Sequence, residues 1–164
     1  MSGDLLHQLI QRELDELDKM MCRYAEAIRL GSAIEPELLQ VTALGSVLHS
    51  FYSGIERIFA EVAKRIDRSL PQGDRWHTEL LIQIARPTAS RPAVISDATQ
   101  RLLRRYLAFR HYYRHSYSHL LAWSRLQELI ADLTDVWQNV RTDLYRFLAS
   151  CPHTEGSAPH PTCD

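Results

Sequence analysis

The chain has 164 residues, 45% of them hydrophobic and 24% charged, with a net charge of −1. This is most simply one domain, large enough to bury a core, and no apolar run nears the roughly 18 residues that a membrane span needs. The opening Met1-Ser2-Gly3-Asp4 leads straight into a charged pattern without a secretory leader, and Cys22, Cys151 and Cys163 are too widely spaced for a disulfide framework, so a soluble cytoplasmic protein with reduced thiols is expected.

Helical periodicity dominates. Leu6, Ile10, Leu14, Leu17, Met21 and Tyr24 recur three or four apart, and Gly31 supplies a stop for a first helix. Pro36 fits the first turn of a second helix reaching about Arg68, with Leu39, Leu44, Leu48, Phe51, Ile55, Ile58, Phe59 and Val62 facing inward. Pro71-Gln72-Gly73 is a turn, after which Asp74 can cap a short third helix through Trp76, Leu80, Leu81 and Ile84. Pro87 to Pro92 reads as a loop. Asp97 and Gln100 resemble a capping box for a fourth helix from about Ala98, which carries Leu102, Tyr106, Phe109 and Tyr113 as a core stripe. A fifth helix is expected from Trp123 to Ala149. No segment alternates like a strand, so the chain reads as an all-α, up-and-down bundle of about five helices over residues 1–150. The proline-containing tail, 151–164, reads as disordered.

Charge is unevenly spread. Residues Arg86 to Leu126 hold eight arginines against the single Asp97, a net +7, which leaves −8 for the rest of the chain. One basic stretch on an acidic protein suits a polyanion, a solvated helix face or an acidic partner. Inside it lies Phe109-Arg110-His111-Tyr112-Tyr113-Arg114-His115-Ser116-Tyr117. A guanidinium holds phosphate with a planar fork, and an imidazole moves protons near neutral pH. Cutting RNA through its 2′-hydroxyl needs a base, an acid and charge stabilisation of the phosphorane. His115 suits the proton transfer and Arg110 the charge, with Arg105, Arg114 and His111 as further phosphate ligands. At about 100° per residue, Tyr117 would stand almost directly above Arg110 on a continuous helix, whereas His115 would lie about 140° away. For Arg110 and His115 to face one phosphate, the helix must end or kink near Arg114, or two chains must share the site. The plainer reading has Arg110 pairing with a carboxylate on another helix, His115 capping a helix end and Tyr117 packing at the surface. His111, His115 and His119 recur every four residues, but His111 and His119 would lie about 12 Å apart along a helix and arginines surround them. No metal site and no cofactor is expected there. Cys151, His153, His160 and Cys163 match no standard zinc spacing.

The segment Arg104 to Tyr117, with R-x(4)-H-x-Y at Arg110, His115 and Tyr117, resembles the basic active-site helix of HepT-like toxins, a group of HEPN-domain ribonucleases. Leu121-Ala122-Trp123 followed by Leu126 resembles the helix restart after it, and Trp76-His77 before Leu80-Leu81 resembles a recurrent element of the third helix. The likeness spans roughly residues 4 to 149. It implies a HEPN-like bundle forming a homodimer with a shared cleft, and a metal-independent endoribonuclease toxin whose catalytic positions are Arg110 and His115. Tyr117 occupies the position where, in the family, a cognate MNT-type nucleotidyltransferase antitoxin attaches AMP. A non-catalytic HEPN module that binds nucleic acid or nucleotide, or a helical partner for an acidic protein, stands as the alternative.

Overall fold

The computed structural model describes residues 2–151, so the expected tail falls, apart from Cys151, outside the described residues. Five α-helices make an all-α, up-and-down bundle: α1 (Ser2–Ala33), α2 (Leu38–Val62), α3 (Trp76–Ile84), α4 (Asp97–His115) and α5 (Trp123–Ser150). Strand-like pairing among the described residues is limited to one bridge between Thr88 and Arg91. One apolar core runs from Leu6 to Leu148.

Two helix starts and one stop differ from expectation for identifiable reasons. Gly31 does not end α1. A Cβ there would stand 2.9 Å from Leu44 Cδ1 and 3.5 Å from Trp123 Cη2, so the glycine permits close approach of α1 to α2 and α5. The α1 stripe holds through Met21, but Tyr24 is exposed and burial resumes at Ile28. α2 begins beyond Pro36, where the Glu37 N–H donates to Gln40 Oε1 at 3.0 Å. α4 is capped one residue earlier than expected: the Ser96 hydroxyl accepts from the Thr99 N–H at 3.1 Å, and the Ser96 N–H donates to Asp143 of α5 at 2.9 Å. This acid from α5 reinforces a terminus that favours negative charge.

α2 is the central helix and packs against α1, α3, α4 and α5. Its inward residues from Leu44 to Val62 are buried as expected, while Leu39, at 82% exposed, is not. Beyond Val62 the helix widens into a π-helical turn, Ala63–Asp67, which Arg68 closes in the left-handed region at φ 52°. This turn presents Asp67 to Arg91 from the loop before α4. Arg91 Nε and Nη2 donate to the two carboxylate oxygens at 2.7 and 2.6 Å, and its remaining donors reach the carbonyls of Gln83, Arg86 and Pro92. Both side chains are out of solvent. α4 is tied to α5 by the Tyr106 hydroxyl, which donates to the Leu129 carbonyl at 2.8 Å. Cys151 is a free, half-buried thiol at the end of α5.

Removing one partner of a buried ion pair strands the other's charge. Asp67→Ala is therefore expected to lower the unfolding free energy by about 3–5 kcal/mol, measured by urea titration. A loss below about 1 kcal/mol, the range of an exposed pair, would show that this clamp does not hold the α2–α4 connection.

Candidate functional site

The buried face of α4 runs through Thr99, Leu103, Tyr106 and Arg110, spaced four, three and four. Arg110 thus occupies a core position and is only 8% exposed. An unpaired buried guanidinium would be prohibitively costly, and two other helices answer it. Glu56, on the buried face of α2, brings Oε1 within 3.5 Å of Arg110 Nη2. His77, in the first turn of α3, places Nε2 3.3 Å from Arg110 Nη1 and Nδ1 2.6 Å from Glu56 Oε2. A guanidinium only donates, so His77 Nε2 accepts and Nδ1 carries the proton given to Glu56. Burial pushes the His77 pKa below its ordinary value; the Glu56 hydrogen bond and charge oppose the shift, and Arg110 and His111 add to it. The histidine is therefore neutral in the triad. Arg110 Nε is buried and has no acceptor.

Other polar groups surround this set. The His49 ring of α2 stacks on Tyr113 at 4.8 Å; its pKa is lowered by burial and by the charges of Arg110 and Arg114. His111 meets His77 edge-on at 6.0 Å. A cleft of about 300 Å³ between α1 and α2, lined by Arg12, Glu13, Arg57 and Lys64, contains none of these residues.

α4 ends at His115, next to Arg114, where an end or kink was one of the two ways, beside two chains sharing the site, for Arg110 and His115 to face one phosphate. The Ser116 hydroxyl donates to the Tyr112 carbonyl at 2.8 Å, and the chain turns through extended Tyr117 into a 3₁₀ turn, Ser118–Leu120. The Tyr112 hydroxyl staples this turn, donating to the Leu120 carbonyl and accepting from the Ala122 N–H at 3.2 and 3.1 Å. His115 is exposed. Tyr117 is 74% exposed, and its ring lies 5.8 Å from that of His119. Tyr117 therefore does not stand above Arg110 on a continuous helix. Within one chain the motif is divided: Arg110 points into the bundle, whereas His115 and Tyr117 lie at an exposed end.

The arginines are divided too. Arg91, Arg105 and Arg110 are paired. Arg105, expected as a phosphate ligand, donates to Asp132 at 2.7 Å and to Glu128 at 3.3 Å, two acids of α5 at the surface. The acid that meets Arg110 comes from α2, 54 positions away in sequence, where no local search would find it. Arg101, Arg104, His111, Arg114 and His115 are exposed and make a cationic stripe along the outer side of α4. Glu56 and His77 are the site residues that sequence reading missed. Their signals were faint: a lone acid within an apolar stripe, and a histidine beside a tryptophan.

The geometry defines an all-α domain with a buried arginine triad beneath a histidine-bearing, cationic helix end. A family model described as HepT-like protein matches residues 43–151, from α2 to the end of α5, and the chain belongs to this family of HEPN-domain proteins. Such proteins are toxin-type modules generally associated with ribonuclease activity. No curated protein and no solved structure matches the chain.

The lowered pKa values of His77 and His49 mean that the folded state binds fewer protons than the unfolded chain. Their contribution to stability is full above the free-imidazole value of about 6.5 and falls as pH drops through it toward the folded values. Melting temperature should decline on acidification through about pH 6.5, and His77→Gln should flatten the decline. An identical slope in His77→Gln would remove His77 from the linkage.

Proposed function

We propose that the chain is a metal-independent endoribonuclease toxin that cuts RNA through its 2′-hydroxyl. The observation that carries this reading is the end of α4 at His115, which leaves a titratable imidazole in solvent at the head of the cationic stripe Arg101, Arg104, His111 and Arg114. The stripe suits the phosphate backbone, whose attraction for arginine is independent of sequence. The 2′-oxygen attacks phosphorus as a base takes its proton. The 5′-oxygen leaves as an acid gives one, and the products are a 2′,3′-cyclic phosphate and a 5′-hydroxyl. One His115 per chain cannot supply both protonation states at once. A two-fold homodimer with the α4 ends adjacent supplies two such histidines to a single phosphate, and Arg110 supplies charge to the phosphorane. Arg114, His111 and Arg105 are the phosphate ligands in this reading, Arg105 exchanging its exposed carboxylate partners for the RNA backbone.

His115→Ala and Arg110→Ala are each expected to reduce cleavage by at least about a hundredfold while staying folded, the lower end for loss of proton transfer. Cleavage should persist in EDTA. Full activity in either variant, or a requirement for a divalent ion, would overturn the mechanism. The pairing of Arg110 with Glu56 and His77 favours a second reading, a non-catalytic HEPN module that binds RNA or nucleotide. Retained affinity without cleavage of any RNA selects it.

Control of the toxin falls to Tyr117 in this proposal. Its hydroxyl stands on an extended, exposed segment open to a second enzyme, an MNT-type nucleotidyltransferase antitoxin. The phenol oxygen would attack the α-phosphorus of ATP, pyrophosphate would leave, and the added phosphodiester would occupy the cationic stripe in place of RNA. Co-expression should raise the intact mass by one AMP or multiples, and Tyr117→Phe should refuse the label. An increment mapped elsewhere, or none, sinks this part.

A further inference from the structure

The chain contains two buried arginines, and they are held in opposite ways. Arg91 is gripped by the Asp67 carboxylate at 2.7 and 2.6 Å, with its other donors on backbone carbonyls. That is how a structural guanidinium is satisfied. Arg110 has its acid at 3.5 Å, beyond the roughly 2.7–2.9 Å of a charge-assisted bond. The short bond of Glu56 goes to His77 instead, at 2.6 Å. Arg110 is held by a neutral imidazole nitrogen and keeps its Nε–H buried without an acceptor. If neutralisation alone were needed, the carboxylate would lie across the guanidinium, as Asp67 does.

We infer that His77 is a positioning residue for Arg110, with Glu56 fixing the His77 tautomer, so that the guanidinium is held in one orientation at the RNA site. The inference rests on the proposed RNA site. Each link has a separate chemical duty. Glu56 accepts the Nδ1 proton and so holds the lone pair of His77 toward α4. That lone pair fixes the guanidinium plane through Nη1 without cancelling its charge. Protonation of His77 at Nε2 would replace the acceptor with a donor facing Arg110 and release it. The charged and titratable groups facing His77 are Glu56 from α2 and Arg110 and His111 from α4.

The test separates holding from mere stability. Affinity for a non-cleavable 2′-O-methyl RNA oligonucleotide is measured for wild type, His77→Ala, Arg110→Ala and the double variant. His77→Ala should weaken binding about tenfold and add nothing in the Arg110→Ala background, because contacting residues that act through one group are coupled. His77→Gln can place an acceptor oxygen near the Nε2 position and should restore most of the affinity and cleavage. His77→Asn keeps only the donor to Glu56 and should not. In wild type, affinity and cleavage should show an acid-side inflection that His77→Gln lacks. Losses that multiply in the double variant, or equal rescue by His77→Asn, would overturn the positioning role while leaving the ribonuclease reading intact. If the wild-type chain neither binds nor cleaves RNA, the proposed function fails and the role at the RNA site fails with it. The hold on Arg110 is then judged by its Nε–H resonance, expected to exchange slowly in wild type and His77→Gln and rapidly in His77→Ala. Unchanged exchange in His77→Ala would overturn it.

Discussion

A guanidinium at a core position of a helix is the constraint to which this bundle answers. Arg110 follows Thr99, Leu103 and Tyr106 on the buried face of α4, where an apolar side chain would ordinarily lie. A charge there needs partners from other helices. Glu56 serves only because α2 is central and packs against α4; His77 serves only because α3, a nine-residue helix, lies against both. α3 also buries Leu80, Leu81 and Ile84 in the core, so this short helix serves both packing and the cation.

The same helix is fixed at both ends, by different chemistry. At its start, Ser96 and Asp143 satisfy N–H groups that the helix itself cannot. At its finish, the Tyr112 hydroxyl bonds to the backbone of the turn beyond. Between them Tyr106 ties the middle to α5. These contacts hold α4 in register and turn the residues after His115 out of the helix.

Helix number and helix order were legible in the sequence because they depend on local signals: apolar spacing and the turn at Pro71-Gln72-Gly73. Features set by distant contacts were not. Gly31 has the composition of a stop but serves as a point of close approach, visible only once Leu44 and Trp123 are adjacent. Leu39 and Tyr24 have the right spacing for burial, yet both are exposed. Arg105 and Arg110 are neighbours in one basic run, but α5 neutralises the first and α2 partners the second. Spacing can assign a residue to a helical face; it cannot say which acid lies opposite. Within the candidate site, His115 and Tyr117 were found at an exposed helix end, whereas the partners of Arg110 needed three-dimensional proximity.

The exposed turn at Ser116–Leu120 has a bearing on how this chain can change over generations. Tyr117 lies outside the apolar core, and His115 makes none of the ties that fix α4, so replacements there carry little folding penalty. Arg110, Glu56 and His77 have no such freedom, since altering any one leaves charge or polarity stranded among packed helices. The molecule therefore separates a part that drift can retune, its exposed helix end, from a part that must be inherited whole. In a lineage of such proteins, divergence should accumulate at the rim of the helix end, with the three buried residues changing only in concert.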